Sequence, residues 1–365
     1  MKKLILLILI LPIFTVSAYG EALQDEIIMS SGLDEIQKAL PEKEREISGE
    51  LKLDGSYDFN SALKRLGAGF TEKIKEALKS ELGIFTSLMA VIFICSIGAS
   101  LSLDGAFQDY VQISGCCFAA YMLSTSVKGI ISQAVSAVNQ LSDYSRAALP
   151  ALFTASAACG SLGSAPIKYA AACLAIELFM SAAREIILPL INAYIAISLS
   201  SSLFENELLK TASRMCSKLC GILMSGLCLA FGAYISLSGL IAGSSDALAV
   251  KAAKSIISST LPVVGRVLSD SASLVVASAT LIKNSAGIFC LICVCALCLG
   301  PFVSLGIKSL LFKFSSCAAK MLPGSKLSSL LSSLGTAMSL LLGLVGSCGI
   351  MLLISIMSAM KVMVL

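Results

Sequence analysis

The chain has 365 residues, of which 56% are hydrophobic and only 14% charged, with a mean hydropathy of +0.89. Soluble domains carry about 25% charged residues, so water is not the main solvent here and the sequence reads as an all-α, polytopic membrane protein. There is no histidine, which excludes Ser–His and Cys–His nucleophile pairs and the H-E-x-x-H zinc site, and no G-x-x-x-x-G-K-[ST] stretch to bind a nucleotide. Neither catalysis nor a cofactor is expected.

Residues 1–20 have the three-part layout of a cleavable signal peptide: Lys2 and Lys3, an apolar run from Leu4 to Val16, then the small residues Ser17 and Ala18. An uncleaved first anchor is the alternative. Residues 21–82 follow as a small segment that is amphipathic and extracytoplasmic; from Glu21 to Glu81 it holds 14 acidic and 9 basic residues. A first helix is predicted to end near Pro41. A second carries Phe59, Leu63, Leu66, Phe70, Ile74, Leu78 and Leu82 at steps of three and four, an apolar stripe on a charged helix. Such a stripe packs on the membrane body, lies in the lipid interface, or forms a groove contact with a partner.

Beyond Leu82 apolar runs recur, and a span needs about 20 residues. Spans are predicted near 84–103, 111–131, 147–163, 167–183, 186–204, 219–243, 286–307 and 334–360, the third short enough to be re-entrant. This divides the membrane body into a first group of helices at 83–243, an amphipathic pair at 244–285, and C-terminal helices at 286–365. Glu177 falls inside a span with Arg184 seven residues on, roughly on the same face, which makes an intramembrane ion pair. The small residues of "GSLGSA" (160–165), "SGLIAGSS" (238–245) and "GLVGSCG" (343–349) let helices approach closely, within the chain or between chains. All 14 cysteines lie at or beyond Cys95. They read as buried small hydrophobes, and even the cluster Cys290, Cys293, Cys295, Cys298 lacks the polar surroundings that a metal requires.

The segment 244–285 breaks the pattern. Ala253, Ile257 and Leu261 form one stripe and Lys251, Lys254 and Ser258 another. Pro262 then removes a backbone donor and disfavours helical geometry at Leu261, and Gly265 frees the backbone again. After the break Arg266, Asp270, Ser273, Thr280 and Asn284 follow one side at helical spacing, and Arg266 and Asp270 can pair across one turn. Two polar-striped halves joined in this way either lie flat at the interface or dip inward and line a cavity, the place where broken backbone is tolerated at depth.

"SIISSTLPVVGRVLSDSASLVVASATLIKNSAGI" (255–288), with its P-V-V-G-R core, the following aspartate and the later L-x-K-N-x-x-G-I, resembles the stage III sporulation protein AE family. The leader, the amphipathic segment and the series of spans agree with that family in order and length. The resemblance implies a non-enzymatic membrane subunit of the channel joining mother cell and forespore in endospore-forming bacteria. It implies a place in the mother-cell membrane around the forespore, with the other membrane subunits of the stage III sporulation channel and the lipid bilayer as partners, and no nucleic acid, metal or cofactor. It transfers no catalytic residue; Pro262, Gly265, Arg266, Asp270, Lys283 and Asn284 are carried over as signature positions for structure or assembly. A stand-alone transporter of a small solute or ion, built on Glu177 and Arg184, is the alternative.

Overall fold

The computed structural model describes residues 33–49, 57–101, 105–158, 165–204, 206–242, 264–320 and 326–360. Every regular element among them is helical. In chain order they are α1 (Leu33–Lys38), α2 (Glu42–Ser48), α3 (Phe59–Leu101), α4 (Gly105–Ala158), α5 (Ala165–Ala182), a π-helical turn (Ala183–Ile187), α6 (Leu188–Phe204), α7 (Glu207–Ala242), α8 (Val264–Lys320) and α9 (Lys326–Met360). The signal peptide, Pro262 and the first half of the 244–285 pair lie outside the described residues.

Local chemistry sets the first boundaries. Pro41 precedes α2 with extended backbone, and Glu42 and Glu44 in its first turn and Arg45 in its last complement the helix dipole. Gly49 closes α2 at a φ of +77°, where any side chain would strike the Arg65 guanidinium. The Tyr57 hydroxyl donates to the Ser48 carbonyl at 2.5 Å, and its ring meets Phe289 of α8 edge-on at 5.4 Å. Asp58 caps α3, accepting from the Ser61 amide at 3.1 Å and from its hydroxyl at 2.6 Å. These bonds hold the Asp58 carboxyl below its ordinary range.

The long helices form antiparallel hairpins. Gly98 of α3 faces Val111 of α4, and Gly115 of α4 faces Cys95 of α3. The hydroxyls of Ser198 (α6) and Ser213 (α7) are 2.6 Å apart. Between α8 and α9, Ser309 lies 2.8 Å from Ser339, and the Ser316 hydroxyl donates to the Ser328 carbonyl at 2.9 Å. Such hydroxyl contacts and small residues join helices where lipid supplies no hydrophobic drive. On its far side α9 meets α7, with Gly343 against Met224. Thus α3, α5–α6 and α8 run in one direction and α4, α7 and α9 in the other, with α8 and α9 central. The glycines of 343–349 serve packing within the chain: Gly346 faces Phe302 and Gly349 faces Cys298.

A graded test of that packing lies on α9. A methyl group at Gly335 would sit 2.9 Å from Lys313 Cγ and 3.3 Å from the Lys313 backbone nitrogen, whereas at Gly343 it would meet the tip of Met224 at 2.9 Å. Backbone cannot yield and a methionine tip can. Gly335→Ala is expected to cost about 1–3 kcal/mol and Gly343→Ala much less, as read by denaturant unfolding in detergent.

The reading of the spans is revised. Among the described residues five helices, fewer than the eight runs read from the sequence, are long and apolar enough to cross a membrane: Phe59–Gly98, Ala172–Phe204, Glu207–Ala233, Asn284–Lys320 and Lys326–Met360. The run 111–131 and the described part of the next, 147–158, belong to one helix, α4, because the polar stretch between them stays helical, and α4 is not among the five. Likewise 167–183 and 186–204 join through the π turn. α3 runs continuously through residue 82 and α8 through residue 285. The break read at Pro262–Gly265 has helix immediately after it: α8 starts at Val264 and passes through Gly265 without interruption.

The stripe on α3 also behaves unexpectedly. Phe59, Leu63, Phe70, Leu78 and Leu82 are exposed, while Ala62 and Gly69 are the buried positions. Gly69 lies against Ile47 of α2 and Leu299 of α8. This half of the helix docks by its small residues, which allow close approach, and turns most of the stripe outward, with Leu66 and Ile74 half-buried.

Candidate functional site: a charged cluster on the polar side of the bundle

Glu177 on α5 sits between two guanidinium groups. Arg146 of α4 donates through Nη2 to Oε1 at 2.6 Å and through Nε to Oε2 at 3.4 Å, a forked contact across two helices. Arg184 brings Nη2 within 3.8 Å of the same Oε1. Positions seven apart on a regular helix differ by only about 20°, which is why Glu177 and Arg184 share a side. Arg184 belongs to the π turn, a widened element frequently found at functional sites.

The cluster borders a cleft of about 410 Å³ lined by Ser145, Arg146, Leu149, Cys173, Leu174, Ile176 and Glu177. Arg146 is 57% and Glu177 47% exposed. Facing water, such a pair contributes only about 0.2–1 kcal/mol. Its chemistry is that of a clamp: two fixed cations and one carboxylate that orient α4 against α5.

A second ion pair is much less exposed. Lys308 Nζ of α8 lies 3.1 Å from Glu81 Oε1 of α3, with 14% and 12% side-chain exposure. Ile84, Phe85, Leu88, Leu311, Phe312 and Ser315 surround it. The sequence alone places Glu81 in the N-terminal segment and Lys308 in a loop, and no local spacing links them. Arg146 is equally hidden, 31 residues from Glu177.

Of the signature positions, Gly265, Arg266, Asp270 and Lys283 fall on α8, with Arg266 and Asp270 one turn apart; the side chains of 264–283 lie outside those described. Asn284 is exposed. Cys290 and Cys293 are buried and face the Tyr144 hydroxyl of α4, which makes no well-formed hydrogen bond with them. Among the described residues no group of three or more Cys, Asp or Glu is arranged to hold a metal, and no cysteine is in a disulfide.

The profile of the family described as stage III sporulation protein AE matches residues 51–362. The chain belongs to this family. The match spans α3 to α9, and so takes in both ion pairs and the 255–288 signature. A curated relative, "Stage III sporulation protein AE" of Bacillus subtilis (strain 168), is 24% identical over 290 residues, covering 78% of this chain and 71% of that protein. No solved structure matches. The family is one of sporulation proteins, with no sign of catalysis, and the five apolar helices make this member a multi-pass membrane protein.

Proposed function

We propose that this protein is a non-enzymatic subunit of the channel joining mother cell and forespore, a secretion-like assembly required for endospore development, and that it resides in the mother-cell membrane around the forespore. The observation that carries the reading is the family match over residues 51–362 on a chain with five membrane-length helices. Its partners are the other membrane subunits of the stage III sporulation channel, and its N-terminal leader is a signal peptide that puts α1 and α2 outside the mother-cell cytoplasm.

The charge distribution supports that orientation. Lys210, Arg214, Lys218, Lys313, Lys320 and Lys326 gather at the end of the bundle where α6 turns into α7 and α8 into α9. Basic loops stay on the cytoplasmic side, so the opposite end of the bundle faces outward. In this frame the 264–285 half of α8, with Arg266 and Asp270, lies near the outer end, where it serves as a register for assembly.

Purification from membranes of sporulating cells is expected to recover other membrane subunits of the sporulation channel with this protein. Recovery of the protein alone, together with solute uptake by vesicles containing it, would favour the stand-alone transporter, for which the half-exposed Arg146–Glu177–Arg184 cluster and its cleft are the supporting feature.

A further inference from the structure

From Ser124 to Arg146, every exposed residue described on α4 is polar or glycine: Ser124, Lys128, Gly129, Ser132, Ser136, Gln140, Asp143 and Arg146. Successive steps of three or four residues keep these side chains on one face. The opposite face buries Leu123, Val127, Ile130, Ala134, Val138, Leu141 and Tyr144. The polar face is about 33 Å long at 1.5 Å rise per residue, close to the roughly 30 Å of a hydrocarbon core.

Its depth can be fixed by cross-helix contacts. The Ser304 hydroxyl of α8 donates to Gln133 Oε1 at 3.2 Å, and Tyr144 sits by Cys290 and Cys293. This stretch of α4 therefore runs beside 290–304 of α8, the most apolar of the membrane-length helices. On the other flank of the bundle, at the same depth, the exposed residues are mixed: Leu178 of α5, Glu185 and Ile186 of the π turn, Asn192 of α6, and Ile222, Ser225 and Leu229 of α7. The levels match because Arg146 reaches Glu177, Gly349 of α9 faces Cys298, and Gly343 meets Met224. Only the α4 face is without an exposed apolar side chain over this whole length. On α3, the neighbour of α4, Lys64, Glu72, Lys75, Glu76 and Lys79 are exposed on the side away from the apolar stripe, at the same depth.

Lysine, aspartate and glutamine in a row cannot face acyl chains, and polar groups at membrane depth characteristically face water or protein. We propose that the α4 face from Ser124 to Arg146, ending at the Arg146–Glu177 clamp, is the water-facing wall of a hydrophilic passage across the membrane, suited to small hydrated solutes. The inference rests on the channel-subunit reading and adds to it which surface of the subunit meets the aqueous path.

Cysteine accessibility in the full chain tests it. In a background with exposed Cys117 and Cys317 replaced by serine, the variants Ser132→Cys, Ser136→Cys and Gln140→Cys are compared with Leu178→Cys and Ile222→Cys in membranes of sporulating cells. The probe is a permanently charged methanethiosulfonate reagent, which needs the thiolate and hence water at the site. Total thiol is counted in detergent, so that poorly folded variants are recognised by their membrane content. The α4 positions are expected to react at least about tenfold faster than the two controls, a difference of about 1.4 kcal/mol in activation free energy. Equal slowness at all five positions overturns the wall, and equal speed overturns it too, because the whole level would then lie outside the bilayer. Partner subunits that still co-purify in either case leave the channel-subunit reading standing while the wall falls.

Discussion

Lys308→Ala is expected to destabilise the folded chain by about 3–5 kcal/mol, because it leaves the Glu81 carboxylate enclosed without its cation. The pair is 3.1 Å apart and nearly covered, and it ties α3 to α8 beside the contact of Phe85 with Phe314 at 6.1 Å. The complementary result is sharper. Glu81→Leu combined with Lys308→Met removes both charges and keeps the volume, and such replacements are commonly neutral or stabilising. Thermal unfolding of the two single variants and the double in one detergent decides the matter. If Lys308→Ala unfolds like the parent, the pair is open to water and the two helices are held by apolar contact alone.

Phe289→Ala is expected to cost about 3–5 kcal/mol, the usual loss for deleting a fully enclosed aromatic ring. Phe289 has no exposed surface and supports the edge of Tyr57, whose hydroxyl holds the end of α2. The variant therefore frees the N-terminal helices as well as weakening the core, and limited proteolysis is expected to cut between Gly49 and Tyr57 sooner than in the parent. Tyr57→Phe keeps the ring contact and removes one neutral hydrogen bond, for about 0.5–1.5 kcal/mol. Identical proteolysis of Phe289→Ala and the parent would mean that α1 and α2 are held by other contacts, such as buried Ile36 and Leu40.

What the sequence reveals is what local physics controls. Composition is enough for the all-helical membrane class, Pro41 for the gap between α1 and α2, and seven-residue spacing for Glu177 with Arg184. Continuity is harder to read. The polar stretch around Ser132, Gln140 and Asp143 looks like a loop because a lipid-facing helix could not carry it, yet it is the middle of α4, satisfied because one face is buried and the other polar. Arg184 and Glu185 look like a span boundary for the same reason, whereas the chain passes them in a widened turn. Arg146 with Glu177, and Glu81 with Lys308, leave no trace in periodicity, since each joins two helices whose register only the assembled bundle sets. The α3 stripe is read correctly as a stripe, but its use is not: docking through Ala62 and Gly69 wins because α8 must come close.

The pairing of α3 with α8 has a consequence for biosynthesis. Glu81 is followed by 226 residues before Lys308 is made, and at about 5–20 residues per second that delay is about 10–45 s. For that interval α3 has emerged from the ribosome with an acidic side chain at the start of its apolar run and without its cation. The nascent chain must keep Glu81 at the water boundary or shelter it against the insertion machinery until α8 arrives. Membrane integration of α3 is thus completed late, by a helix made near the end of synthesis, and a chain truncated before Lys308 is a natural substrate for membrane quality control.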